Sequence, residues 1–407
     1  MASTINAKTT GTGGIEYTGD ASGNVAIQSD GTTVLNTTAS GVEVTGTLQN
    51  NNVQVATQNV LGVRNLIING DMRIAQRGTS VTGKVTGGYD TVDRFIYSNA
   101  GETITEEQST DVPTGQGFSN SFKATITTAN TPTGTQQAYI ATRLEGQNLQ
   151  HLKFGTSSAE NLTLSFWIKT NFTDQITLWL WNPDANRHIA YALNVDSANT
   201  WQKVTWSIDG DTAGAINNDN GVGLQLRWIL STGSDFQGGT LDTSWAAITT
   251  AGRYQGQGNF TGTTSNYINI TGVQLEVGDT ATPFEHRPYD MELRRCLRYY
   301  YKNIGNGAGT GPYGMGHCRS NYLRGQIWLP VTMRATPTMT NTGTDADYIV
   351  TSGTSDFTSF VTRPSLDGGG PDGLNFRVQV SSGMTNGYAA LLSLNSSNSY
   401  LEFSAEL

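Results

Sequence analysis

The chain has 407 residues, 48 of them Gly, and 24 basic against 33 acidic side chains give a formal net charge of −9. That length suits two or three domains rather than one, and an acidic chain without a basic stripe argues against nucleic-acid and anionic-membrane partners. The opening MASTINAKTTG has no apolar signal core and no apolar stretch reaches the roughly 18 residues of a membrane span, so synthesis in a cytoplasm and no membrane insertion are expected.

Only 14% of residues are charged, a composition that taken alone fits disorder, yet 36% are hydrophobic, with 8 Trp, 16 Tyr and 13 Phe. These apolar residues fall in alternating runs separated by Gly, Asn and Asp. Short strands joined by tight turns satisfy both observations, because those residues supply the positive backbone angles that hairpins require. The expected class is all-β and multi-domain. The two cysteines, Cys296 and Cys318, have no metal-type spacing and read as free thiols.

In chain order, residues 1–60 carry short apolar pairs at Ile15/Tyr17, Val25/Ile27, Val34/Leu35 and Val42/Val44. Turn signals separate them: Gly19-Asp20, Ser22-Gly23-Asn24, Ser29-Asp30-Gly31 and Ser40-Gly41. Such a ladder has almost no core of its own, so it should become stable only against identical copies or a docking surface. It is expected to be an attachment and trimerisation segment; the competing reading is a disordered tail. Residues 61–288 hold clean alternation at 162–168 and 176–181, with further strands at 202–208, 221–230 and 267–277, which predicts a β-sandwich.

Residues 289–305 contain one helix, Asp290 to Tyr301, with Asp290 as N-cap, Gly305 as stop and an apolar stripe of Met291, Leu293, Leu297 and Tyr300/Tyr301. It reads as a rigid joint, its stripe packed against symmetry mates. Residues 306–407 return to strands at 325–331, 375–380, 388–394 and 400–405, a β-rich tip domain closed by its final strand.

Two stretches carry a resemblance. Asn65-Leu66-Ile67-Ile68-Asn69-Gly70-Asp71-Met72 with Ile74-Ala75-Gln76-Arg77-Gly78 and Thr91-Val92-Asp93-Arg94-Phe95 resembles the opening of sandwich modules in bacteriophage tail fibres. Ile270 to Gly278, followed by Thr282-Pro283-Phe284-Glu285-His286-Arg287-Pro288, resembles their closing strand. The 293–301 helix, the Leu329–Pro337 segment and the Ser404-Ala405-Glu406-Leu407 ending fit the same group. The resemblance spans about residues 65–407 and implies a homotrimeric virion appendage whose sandwich is similar to jelly-roll carbohydrate-binding modules. Its implied partners are other copies of the chain, a phage tail or other virion protein, and host surface polysaccharide. It leaves tail fibre, tail spike and head fibre open. Related modules often hold a structural calcium between the opening and closing segments. Asp71 and Glu276 lie at comparable places, but calcium takes six to eight oxygen ligands and no others can be named; the local reading is a turn residue and a strand-edge residue. No other cofactor is expected.

No catalytic motif accompanies the scattered His151, His188, His286 and His317. Glycoside hydrolysis would need two facing carboxylates, and the candidates Glu106, Glu107, Asp111, Asp209, Asp211, Asp235 and Asp242 mostly sit beside turn residues. The expectation is a protein that is not an enzyme. Binding is better formed. Strand side chains alternate between faces, so if the aliphatic faces share a core, Trp167, Trp179, Trp181, Gln225 and Arg227 lie on the outer surface. Rings flanked by amides and a guanidinium suit a pyranose. The plainer reading, which has the stronger footing, is that a neighbouring domain or subunit covers them. Asn182, Asn186, Arg187 and His188 are lower-rank candidates.

Overall fold

The alternating runs become strands. In this computed structural model the residues described are 3–7, 15–18, 25–29, 32–38, 41–44, 49–50, 53–54, 64–304, 312–397 and 399–407. The chain divides into two compact units, Met1–Val63 and Arg64–Leu407. The first unit contains β1 (Ser3–Ala7), β2 (Ile15–Thr18), β3 (Val25–Ser29), β4 (Thr32–Thr38), β5 (Gly41–Val44), β6 (Gln49–Asn50) and β7 (Val53–Gln54). Its main sheet has the order β2-β1-β3-β4-β5, with β1 parallel to β3 and the other pairs antiparallel. Each apolar pair read from the sequence falls within one of these strands. The turn signals at 19–20, 22–24, 30–31 and Ser40 lie outside the described residues, as does the expected helix stop Gly305.

The second unit begins with β8 (Ser80–Lys84), β9 (Ile96–Ser98), β10 (Thr103–Ser109), β11 (Ser121–Thr128), β12 (Gln137–Glu145), β13 (Leu162–Thr170), β14 (Ile176–Asn182), β15 (Arg187–Leu193), β16 (Gln202–Ile208), β17 (Val222–Thr232), β18 (Ala246–Ala247) and β19 (Tyr267–Val277). They form two six-stranded antiparallel sheets, β16-β13-β19-β11-β10-β8 and β18-β15-β14-β17-β12-β9. The chain crosses repeatedly between sheets, giving a jelly-roll-like sandwich. The aliphatic faces do share the core: Leu164, Phe166 and Ile168 meet Leu178, Leu180, Leu226 and Trp228, with Phe166 edge-on to Trp228 at 5.4 Å.

Next come α1 (Tyr289–Leu297), then β20 (Tyr300–Ile304), β21 (Pro312–Arg319), β22 (Tyr322–Trp328), β23 (Thr338–Asn341), β24 (Tyr348–Ser352), β25 (Ser355–Phe357), β26 (Phe360–Gly369), β27 (Gly373–Val380), β28 (Ala389–Leu394) and β29 (Tyr400–Ser404). A seven-stranded sheet, β25-β24-β28-β21-β22-β27-β26, and a three-stranded sheet, β20-β29-β23, share a second core that includes Leu323, Phe376, Val378, Leu392, Leu401 and Phe403. The final strand lies in the middle of the smaller sheet.

The helix is shorter than the periodicity suggested. Tyr300 and Tyr301 leave it for β20, and its buried residues are Glu292 and Cys296 rather than Met291, which is 45% exposed. The reason is polar. Glu292 accepts from the Asn69 backbone N–H and lies 3.1 Å from Arg287, so a carboxylate rather than an apolar stripe docks α1. The same knot joins the two stretches that carried the resemblance. Asn65 Nδ2 donates to the Val273 carbonyl at 2.9 Å, and Asn65 Oδ1 accepts from Ile67 and Leu275. Gly70 is needed here because a Cβ would sit 2.1 Å from the Val273 oxygen. The opening and closing motifs are therefore architectural: they seal the first and last segments of the sandwich to each other and to α1.

Candidate functional site

β13 and β14 belong to different sheets, which decides the fate of the five expected binding residues. All five point away from the sandwich core, as the alternation requires. Trp167 is half-buried on the outside of one sheet, with Lys203 and Thr271 as its strand neighbours. Trp179, Trp181, Gln225 and Arg227 lie on the outside of the other. One site of five residues is thus not assembled.

On the second sheet the register sets Trp179 opposite Arg227 and Trp181 opposite Gln225. The two indoles stack at 5.6 Å with 27° between planes. The Arg227 guanidinium lies 4.2 Å from the Tyr139 ring centre and 4.6 Å from that of Trp179, favourable cation–π geometry. Arg227 Nη2 donates to Gln225 Oε1 at 2.8 Å, fixing that amide. Trp179 Nε1 donates to His188 Nδ1 at 2.5 Å, and because an indole only donates, His188 carries its proton on Nε2 toward Asp242 at 3.1 Å. Burial pulls the His188 pKa down against the opposing pull of Asp242, which keeps the ring neutral and able to accept.

These rings are not open to water. Trp179 is 1%, Gln225 1% and Arg227 7% exposed; only Trp181 stays half-buried. The cover over Trp179 is the chain's own connection from β17 to β19, which drops Phe236 and Tyr254 onto it. Tyr254 meets Trp179 edge-on at 5.7 Å, and its hydroxyl donates to Gln137 at 3.1 Å. The connection is rich in Gly and Thr and reads as a plain loop, with no alternation to mark Phe236, Arg253 or Tyr254. Four donors in this patch, Trp181 Nε1, Gln225 Nε2, Arg227 Nε and Arg253 Nε, are buried without an acceptor. An unmet buried donor costs about 1–3 kcal/mol, and all of these N–H groups lie out of reach of solvent, so what the patch offers to a ligand is the half-buried Trp181 ring.

The lower-rank residues serve the scaffold. Asn182 is buried and donates to the Gly214 carbonyl, Asn186 takes a left-handed turn conformation, and Arg187 pairs with Asp211 at 2.9 Å. Several candidate carboxylates are likewise engaged: Glu106 with Lys84 at 2.5 Å, Asp111 with Lys169 at 2.7 Å and Asp242 with His188. Asp71 and Glu276 each have a partner of their own. Asp71 pairs with Arg73, and Glu276 with Arg64 at 3.2 Å and the Thr282 hydroxyl at 2.6 Å. Among the described residues no group of three or more His, Cys, Asp or Glu is arranged to hold a metal.

The sequence matches no family profile and no curated protein. Solved structures similar to the chain include the enzymatically active domain of bacteriophage CBA120 tailspike protein 4, at 14% identity and TM-score 0.28, covering 53% of this chain and 21% of that one. A structure described as "CBM4 structure and function" is similar at 14% identity and TM-score 0.28, covering 52% of this chain and 98% of that one. A third, a putative sugar binding protein from Bacteroides thetaiotaomicron, has 14% identity and TM-score 0.30 and covers 53% of this chain and all of its own. The chain therefore spans about a fifth of the tailspike domain's length.

Proposed function

We propose that this chain is a homotrimeric fibre subunit of a bacteriophage virion, attached through its N-terminal segment, that holds host-surface glycans and breaks no bonds. The observation that carries the glycan reading is the outward-facing, half-buried Trp181, stacked on Trp179 at 5.6 Å and set opposite Gln225. An indole so placed offers an aromatic face on which the apolar C–H face of a saccharide packs. The N-terminal sheet supports the trimer: Ala26 is buried while Ile27 is 41% exposed within the single subunit, so apolar bulk is left for other copies. Three identical weak sites would raise effective affinity without new contacts.

The test uses the full-length protein on host cells and purified host polysaccharide. Retention that falls when Trp167→Ala is combined with Trp181→Ala, a trimer by light scattering, and no new reducing ends are the expected results. New reducing ends would make it a depolymerising tail spike. No retention, together with antibodies that leave adsorption unaffected, would make it a head fibre or decoration. Removing residues 1–60 should abolish incorporation into virions while leaving glycan retention intact.

A further inference from the structure

The C-terminal sheet presents a different surface. Alternation sends Leu323, Ile327, Phe376 and Val378 into the second core and leaves Arg324, Gln326 and Trp328 of β22 beside Asn375 and Arg377 of β27 on the outside. Trp328 is 75% exposed, more than any other large hydrophobic residue described. Its strand partner is Gly373. A Cβ at Gly373 would meet the six-membered ring of the indole at 3.3 Å, so the ring passes close beside a residue with no side chain. Most of the indole is left facing solvent.

The surroundings are polar and shaped. Trp328 lines a groove of about 340 Å³ with Gln326, Asn375, Asp372, Gly369 and Gly370. That volume falls within the range of small-molecule sites. Gly369 permits the close approach that walls it: at φ +128° it lies so near β27 that a Cβ would be 2.7 Å from the Gly373 oxygen. Gln326 Nε2 donates to Asn375 Oδ1 at 3.4 Å, and the same amide pair also lines a second groove of about 460 Å³ reaching His317, Arg324 and Asp367. The two grooves thus share their central residues. From Trp328 to Arg324 the cleft runs about 13 Å along the strand. Asp367 lies between Arg324 at 4.0 Å and Arg377 at 3.8 Å, and Arg324 Nε has no acceptor.

We propose that this cleft is a second glycan site, independent of the sandwich face, which takes a short oligosaccharide. One pyranose stacks on the open face of Trp328, its hydroxyls meet Gln326, Asn375 and Asp372, and the next units reach Arg324. A flat aromatic surface edged by amides and a carboxylate suits a polyhydroxylated ring. A protein partner would more naturally meet an apolar centre depleted of charge, whereas here charged and amide groups line the length of the cleft.

The test is a glycan array of defined neutral and uronic-acid-containing oligosaccharides, probed with the full-length chain. Trp328→Ala should weaken binding at least tenfold with an unchanged circular dichroism spectrum, while Trp328→Tyr keeps most of it. Gly373→Val, which lifts the ring, should weaken binding several-fold. The Trp167→Ala, Trp181→Ala variant should retain the Trp328-dependent signal. If Trp328→Ala binds like the parent and the sandwich variant does not, the cleft is no glycan site and the sandwich reading stands alone. A parent chain that binds no saccharide overturns both. A Trp328→Ala chain with unaltered glycan binding and a changed mass by light scattering would make this face a contact between copies.

Discussion

The sandwich and the C-terminal sheet apply one rule and reach opposite surfaces. Both strand sets alternate, both send aliphatic residues inward and both turn tryptophan outward. In the sandwich, Phe236 and Tyr254 then close over Trp179, leaving it 1% exposed, whereas Trp328 remains 75% exposed. Alternation decides which face a residue takes, and the length and content of a distant connection decide whether that face meets water. An outward tryptophan is thus evidence for a binding surface only once its cover is known.

The largest effect that would break this comparison is on stability. Trp179→Ala should cost about 3–5 kcal/mol in denaturant unfolding, as a buried aromatic truncation does, whereas Trp328→Ala should stay within about 0.5 kcal/mol. Equal costs would mean that the two rings are equally covered. Next is the junction where the two regions meet. Arg94, 1% exposed, pairs with Glu406 and lies 3.5 Å from the Tyr299 ring centre, while Arg298 grips Glu145 of the sandwich at 2.7 Å. Glu406→Ala leaves Arg94 buried with its charge unmatched and should cost about 3 kcal/mol. In calorimetry it is expected to split one transition into two; a single, barely shifted transition would show that the regions do not rely on this pair.

The smallest effect concerns pH. Burial raises the Asp93 pKa from 3.8 to about 6, against hydrogen bonds from Gln76. A folded carboxyl that keeps its proton to a higher pH than the unfolded one binds more protons when folded. The stability from this group is therefore fully present below 3.8 and is lost as pH rises through about 6. Gln76 also donates to the Tyr300 carbonyl at 2.9 Å, so the junction should tighten in mild acid. Asp93→Asn should flatten the melting profile between pH 4 and pH 7 by on the order of 2 kcal/mol. An unchanged profile would place the pH response elsewhere.

Much of the fold was legible because strand alternation is local. The strands at 162–170, 176–182, 202–208 and 267–277 follow the pattern nearly residue for residue. The helix was less so. Periodicity marked Met291 and Leu293 as its buried side, but Glu292 is drawn inward by Arg287 and the Asn69 backbone, partners more than two hundred residues apart in sequence or supplied by another motif. The candidate site was half legible. Alternation puts Trp167, Trp179, Trp181, Gln225 and Arg227 all on outward faces, yet Trp167 lies on the opposite sheet, because no local feature says when a connection changes sheets. Trp328 carries the same alternation signal, one residue from Ile327, but its exposure is set by the absence of a covering segment among the described residues.

What the amino-acid sequence alone determined was strand class and the inward and outward sides of the alternating strands. These follow from backbone geometry and side-chain spacing within a few residues. The tertiary structure alone decided which sheet each strand joined, which rings were covered, and which buried charges found partners. Those outcomes depend on groups far apart along the chain, whose meeting is set by the packing of the whole unit.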